Sequence, residues 1–452
     1  MEIKSTYSVK ISYSADLRKA LSVTVDIYRK AVDFFIEVCV KKWPQVVAAG
    51  PMKKKKSAVE ALTVRTKNRP VVDYDFGKDF YKFPCYLRRA AIAEAIGKVS
   101  SYMSNLDNWK AEDPNMRGKR PGYPKAGYVY PAMYRENMFV RTGTYTADIK
   151  VFTRNTWDWL QVGLCKGDVE YILRHCKSRE ECVPTLQKRG KRWYLDFAFK
   201  ESIELPVIKA SDARILAVDL GINNACTCTV MEADGTVTGR SFLKLPVEND
   251  CLTKAIGRIK KAQRHGARRM PRLWAAAKGI NDDIAVKTAE FIVKAAILYN
   301  VDTIVMEHLD LQGKKRGSSR QRLHLWKAKY VQAMVTDKAH RFLIRVSTVC
   351  AWNTSRLAFD GSGRVKRGRE SEKTAGNYSI CEFSTGKIYH CDLNASYNIG
   401  ARYFIRELVK PLPETAKQRL EAKVPSVVKR STCTLSTLIS LRAALTAPAA
   451  GC

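Results

Sequence analysis

The chain has 452 residues, with 79 Lys and Arg against 44 Asp and Glu, giving a formal net charge of +35. Hydrophobic residues make up 46% and aromatics 10%, enough for packed cores, which excludes a disordered polybasic tail. So large a positive excess repels itself unless a polyanion neutralises it; nucleic acid is the first candidate and an acidic membrane surface the second.

At roughly 100–200 residues per domain, two to four domains are expected. No apolar run approaches the roughly 18 residues of a bilayer span, and the opening MEIKSTYSVKIS lacks the apolar stretch of a secretory leader. The 13 scattered Cys, an odd number, argue for reduced thiols rather than a disulfide framework.

In chain order, Ile3, Tyr7, Val9 and Ile11 alternate as in a strand. Leu17, Ala20, Leu21, Tyr28, Ala31, Phe35 and Val38 then recur at helical spacing from about Asp16 until Trp43-Pro44 stops the pattern. Met52 to Lys56, with Lys53, Lys54 and Lys55, reads as a basic loop. A second helix is predicted from Tyr86 to Trp109. After it, Arg117, Lys119, Arg120 and Lys125 surround Tyr123 in a Gly- and Pro-rich stretch that forbids regular structure. From about 137 to 205 the runs are short and β-rich.

A new regime begins near 211. Ile215 to Val218 is a continuous apolar run, as in a strand buried on both faces. Strands follow at Ala225–Val230 and Thr236–Phe242, turning at Ala233-Asp234-Gly235. An amphipathic helix carries Ile284, Thr288, Phe291, Ala295 and Leu298, ends at Asn300, and precedes a strand from Val301 to Met306. A helix is predicted from about Asn394, and the last 40 or so residues also look helical.

Three acids stand out. Asp219 ends the first apolar strand, with Gly221 at the turn; Glu307 ends the strand at Met306; Asp392 precedes the helix. Carboxylates at the carboxyl ends of neighbouring strands project into one crevice. Their mutual repulsion is relieved by divalent cations, and two Mg²⁺ ions about 4 Å apart can activate a water for phosphodiester hydrolysis. Val-Asp-Leu-Gly after a buried strand also opens the actin and sugar-kinase ATPase fold, but no second Asp-Gly phosphate hairpin follows.

Cations cluster beside these acids. Arg258, Lys260, Lys261, Arg264, Arg268, Arg269, Arg272 and Lys278 form a run without an acid, with Trp274 among them. Lys314, Lys315, Arg316, Arg320 and Arg322 follow Glu307, and Arg364, Lys366, Arg367 and Arg369 form a third group. Such cations neutralise phosphates, and aromatics can stack on unpaired bases.

At the acids the sequence resembles a family. Ile215 to Asn223 (ILAVDLGIN), Ile304 to Leu309 (IVMEHL) and Asp392 to Ile399 (DLNASYNI) resemble the three RuvC motifs of the transposon-encoded TnpB nucleases, relatives of compact type V CRISPR effectors. Thr354-Ser355-Arg356 resembles the segment before the family's zinc module, and Pro121 to Lys125 resembles its Pro-Gly-aromatic-Pro-Lys segment. The resemblance implies an RNA-guided DNA endonuclease in the prokaryotic cytoplasm, pairing a structured guide RNA with double-stranded target DNA and cutting both strands at one site. By position, Asp219, Glu307 and Asp392 would bind two Mg²⁺ ions. Guide pairing would choose the sequence, and the protein would read a short flanking duplex, with its reader placed near Lys53–Lys56. Arg356 joins the expected nucleic-acid contacts.

The family's four-cysteine zinc module is broken here. Leu357 and Asp360 stand at the first pair of positions, Cys381 and Ser384 at the second, so zinc is not expected. A zinc-free hairpin packed by Tyr378, Ile380, Phe383, Ile388 and Tyr389 is expected instead.

The implied fold is α/β plus β-barrel and helical parts: an RNase H-like (RuvC) catalytic domain preceded by an oligonucleotide-binding-like wedge barrel with a helical recognition insert. The expected boundaries are 1–15 with 117–210 for the barrel and 16–116 for the helical lobe. The nuclease part spans 211–345, the degenerate zinc-like lobe 346–390, the third motif 391–410 and a helical tail 411–452. Two alternatives remain: a guided DNA binder or repressor that does not cut, and a transposase or recombinase. Monomer and dimer both remain open.

Overall fold

The computed structural model describes residues 1–115, 117–134, 136–309, 320–374 and 376–446. The chain divides into two compact units, residues 2–201 and residue 1 with 202–452. No described helix is long and apolar enough to cross a membrane, and the described cysteines are free thiols.

The first unit opens with β1 (Glu2–Ser12) and α1 (Ala15–Lys41). Ser14 caps α1, its hydroxyl accepting from the Leu17 amide at 3.2 Å. Trp43-Pro44 starts a separate short helix, α2 (Trp43–Ala48), with Pro in its first turn where its missing N–H costs nothing. Then come α3 (Met52–Thr63), α4 (Phe76–Asp79), α5 (Cys85–Ala111), β2 (Phe139–Gly143), β3 (Thr146–Thr153), β4 (Thr156–Leu164), α6 (Lys166–His175), β5 (Glu180–Glu181), β6 (Thr185–Arg189) and β7 (Arg192–Ser202). The strands form a seven-stranded half-barrel sheet in the order β2-β3-β4-β1-β7-β5, with β6 also paired to β7.

Two sequence expectations change here. Met52 to Lys56 is not a loop: Pro51 sets up the start of α3, lysines are good helix formers, and Val59 and Leu62 are buried. The stretch read as β-rich also contains α6, whose buried Val169 and Ile172 are too few to reveal a helical period among the strands.

The second unit contains β8 (Ile215–Asp219), β9 (Cys226–Met231), β10 (Val237–Leu243), α7 (Pro246–Arg264), α8 (Pro271–Leu298), β11 (Thr303–His308), α9 (Arg320–Leu325), α10 (Ala328–Arg341) and β12 (Arg345–Cys350). After these follow β13 (Lys366–Arg367), β14 (Ile380–Glu382), β15 (Ile388–His390), α11 (Cys391–Val409), α12 (Glu414–Lys423) and α13 (Leu435–Thr446). The central sheet runs β10-β9-β8-β11-β12. β8, β11 and β12 are parallel, whereas β9 is antiparallel to both of its neighbours.

Helices cover both faces of this sheet, which is why its strands read as unbroken apolar runs. Leu216, Val218, Ile304 and Met306 pack with residues of α8 and α10. Ile215, Ala217 and Val305 pack with residues of α11 and α13. Asn300, with φ +48°, supplies the left-handed residue that ends α8 and feeds β11. At Asp234-Gly235 the Asp234 carboxylate accepts from the Thr236 amide at 2.8 Å, closing the β9–β10 hairpin.

A three-stranded sheet, β13-β14-β15, stands where the zinc-like lobe is expected. Its core is Ala358, Val365, Cys381, Phe383 and Cys391, backed by Phe359 and Tyr389. Tyr378, 63% exposed, and Ile388, 41% exposed, do not pack it, contrary to expectation. Ile388 occupies an outward register position in a strand of only three residues, and the Tyr378 ring lies over Gly368.

Candidate active site

The register of the central sheet brings two of the three acids together. Val218 on β8 is aligned with Met306 on β11, and Asp219 and Glu307 each follow directly. Both therefore emerge at the carboxyl ends of adjacent parallel strands. Asp392 arrives from the other layer. It lies in the first turn of α11, not before it as the sequence suggested, because His390 is the N-cap and accepts from the Asp392 amide at 3.3 Å.

Each acid is held from outside the trio. Asn224, in the loop after β8, donates from Nδ2 to Oδ2 of Asp392 at 2.7 Å. The Thr354 hydroxyl donates to Oε1 of Glu307, and Gln332 donates to the Glu307 carbonyl at 2.6 Å. A Cβ at Gly221 would meet the Asn224 carbonyl oxygen at 2.5 Å, so this turn needs glycine for space.

The electrostatics follow from this gathering. Burial, then the charges of Glu307 and Asp392, push the Asp219 carboxyl well above the usual carboxylate range, and Arg367 pulls it back. Burial also raises Glu307, against the Thr354 hydrogen bond and the Arg402 charge. Asp219, Glu307 and Asp392 are the residues that could hold a divalent cation, since oxygen-only carboxylate donors suit a hard ion. Their mutual repulsion is what such an ion relieves. Among the described residues, however, no three His, Cys, Asp or Glu side chains are drawn together as a metal-holding group.

The other polar residues of α11 assemble the walls. Asn394 receives the Phe359 amide and donates to the Leu357 carbonyl, both at 2.8 Å. Asn398 donates to the carbonyls of Thr354 and Leu357 at 2.9 and 2.8 Å. Arg402 donates to the carbonyls of Cys433, Cys350, Trp352 and Ser431 at 2.6–3.1 Å. These residues, with Asn224 and Thr354, received no role from sequence reasoning. Asn394, Asn398 and Arg402 recur every four positions within an apolar helix, and that polar stripe is the signal that was present.

The cations divide in two. In the first unit Lys53, Lys54, Lys119, Arg120 and Lys125 are exposed, and Lys55 is half-buried. Arg117 instead donates to the Glu112 and Lys110 carbonyls at the end of α5 and lies over Trp109. In the second unit Arg264, Arg268, Arg269 and Arg272 are exposed where α7 gives way to α8, while Trp274 packs into the core between those helices.

Arg356, Arg364 and Lys366 are also exposed. Arg322 is turned inward, donating to the Ile222 carbonyl and to Asn249 Oδ1, each at 2.8 Å. Arg367 stands by Asp219 and Cys391 rather than on an open face. Lys314, Lys315 and Arg316 lie outside the described residues, as does the Arg320 side chain. At the positions of the family's second zinc pair, Cys381 donates from Sγ to the Tyr389 carbonyl at 3.5 Å, and Ser384 donates to the Ser362 carbonyl.

Among solved structures, the chain resembles the mini-RNA-guided endonuclease CRISPR-Cas_phi3 at 10% identity, over 88% of this chain and 92% of that one, with a TM-score of 0.46. It resembles the Cas12f1–sgRNA–target DNA complex at 14% identity, over 88% and 98%, with a TM-score of 0.34. For Alicyclobacillus acidoterrestris C2c1 in complex with single-guide RNA the identity is 12%, over 86% and 66%, with a TM-score of 0.42. The model of the Aq_aa04 family matches residues 5–153. The uncharacterized protein aq_aa04 of Aquifex aeolicus (strain VF5) is 31% identical over 144 residues, covering 29% of this chain and 81% of that protein. By that match, the chain belongs to the Aq_aa04 family.

Proposed function

We propose that this chain is an RNA-guided DNA endonuclease of the TnpB type, with a RuvC nuclease fold in its second unit. The observation that carries the reading is the alignment of Asp219 and Glu307 at the carboxyl ends of adjacent parallel strands, with Asp392 tied by Asn224 to the loop after β8. The strand order supports an RNase H-like assignment, since three antiparallel strands are extended by two parallel ones. In this reading the helical recognition lobe, 16–116, and all of the wedge barrel, 1–15 with 117–210, except residue 1 and residues 202–210 belong to the first unit.

The carboxylates would bind two Mg²⁺ ions, which would supply charge stabilisation to phosphodiester hydrolysis. The chain's own groups do the positioning. Asn224 aims Asp392, Thr354 favours the charged form of Glu307 against the effect of burial, and Arg367 tempers the repulsion on Asp219. The exposed cations where α7 meets α8 offer phosphates a path in the second unit, and Lys53, Lys54, Lys119, Arg120 and Lys125 offer one in the first.

The test is to purify the protein with its bound RNA, sequence that RNA, and supply magnesium with a plasmid carrying the matching sequence beside a randomised flank. Linearisation at the matched sequence is expected. Absence of an enriched RNA, or cutting indifferent to its sequence, contradicts the proposal, and strand-transfer products point to a recombinase.

A further inference from the structure

A cleft of about 1350 Å³ opens beside His308, the residue after Glu307, between the end of β12, the second half of α11, α12 and the turn at 427–433. Trp352 stands at its lip with 71% of its surface exposed, and its ring meets no other ring among the described residues. The cleft is also lined by Arg406, Lys410, Lys417 and Arg430, and its acid, Glu407, is already paired with Arg406 at 2.8 Å. Arg402 fixes the arrangement, because one guanidinium binds the carbonyls of both Trp352 and Ser431. That places the Trp352 and Arg430 turns side by side. Two residues beyond Trp352, Thr354 touches Glu307.

We propose that this cleft is a binding site for an unpaired nucleic-acid strand, with one base stacked on Trp352 and the adjoining phosphates on Arg430 and Lys410. An exposed indole offers its face to any base, while the cations track the backbone. Duplex DNA keeps its bases stacked on each other and cannot use the indole in this way. The site deepens the nuclease reading and rests on it only for which strand is held.

The test uses full-length protein carrying Asp219→Ala, so that the probe is not cut. A short oligonucleotide containing 5-iodouracil is offered as single-stranded DNA, as RNA, and as DNA annealed to its complement, and cross-linked peptides are identified by mass spectrometry. Either single strand should cross-link to the peptide carrying Trp352, a higher yield with DNA naming the target and with RNA naming the guide. Trp352→Ala should remove that cross-link and weaken single-strand binding roughly tenfold, whereas Trp352→Phe keeps most of both. Joint Arg430→Glu and Lys410→Glu should reduce the slope of log affinity on log salt by about one to two.

Equal cross-linking of the annealed DNA, or single-strand cross-links confined to other peptides, overturns the site. Failure of the nuclease reading would show separately, as wild-type protein that carries its RNA and magnesium yet leaves the matched plasmid uncut.

Discussion

The hydroxyl of Thr354 donates to Oε1 of Glu307, fastening the turn after β12 to the acid at the end of β11. Burial pushes the Glu307 carboxyl up, and this bond and Arg402 pull it down. Thr354→Val removes the bond, so the carboxyl should hold its proton to higher pH. The acid limb of the cleavage profile should then move to higher pH, with the rate recovering toward wild type on the alkaline side. A uniformly lowered profile of unchanged shape would contradict this role.

Asp219 offers a readout that does not depend on cutting. Burial and the charges of Glu307 and Asp392 raise its proton affinity in the folded state. The folded chain therefore binds more protons than the unfolded one, and stability falls as pH rises from the ordinary value of 3.8 through the raised one. Asp219→Asn should melt above wild type at neutral pH, by about 2–4 °C for each kcal/mol relieved, with the gap closing in acid. Magnesium should raise the wild-type melting temperature more than that of the variant. Calorimetry across pH, with and without the cation, decides it; a variant that melts below wild type at neutral pH contradicts the repulsion.

Gly221 lies outside the acid trio but sets it. A Cβ there would strike the Asn224 backbone, and Asn224 holds Asp392. Gly221→Ala is expected to cut about 100-fold more slowly, as a displaced catalytic group would, while its melting temperature stays near wild type. A kinetic assay paired with a melt separates this from unfolding.

Arg402 is a structural tie. Its removal leaves the carbonyls of Cys350, Trp352, Ser431 and Cys433 without their shared donor in a nearly closed interior. Arg402→Met should cost about 3 kcal/mol or more, readable by denaturant titration. A cost below about 1 kcal/mol would show that water replaces it.

The sequence disclosed what depends on period and strand ends. Ile215 to Val218 and Ile304 to Met306 read as buried strands because helices cover both faces, and the acids that end them were visible for the same reason. What it hid is the set of long-range polar contacts. Nothing local says that Arg322 turns inward to Ile222 and Asn249, or that Arg402 reaches four carbonyls. A lysine run looks the same in a loop and at the start of a helix, and the burial of Val59 and Leu62 that holds α3 lies beyond the run. The two short strands of the β14–β15 hairpin are too brief for alternation to fix which residues face inward, as Ile388 shows, and Tyr378 lies before β14 altogether.

The acid cluster is tested most directly by guided plasmid cleavage with Asp219→Ala protein carrying the same RNA as wild type, in magnesium, alongside a measurement of target binding. Loss of cutting with target binding unchanged is the expected result. Cutting that persists at the matched sequence would contradict the assignment of Asp219, and with it the site built around Glu307 and Asp392.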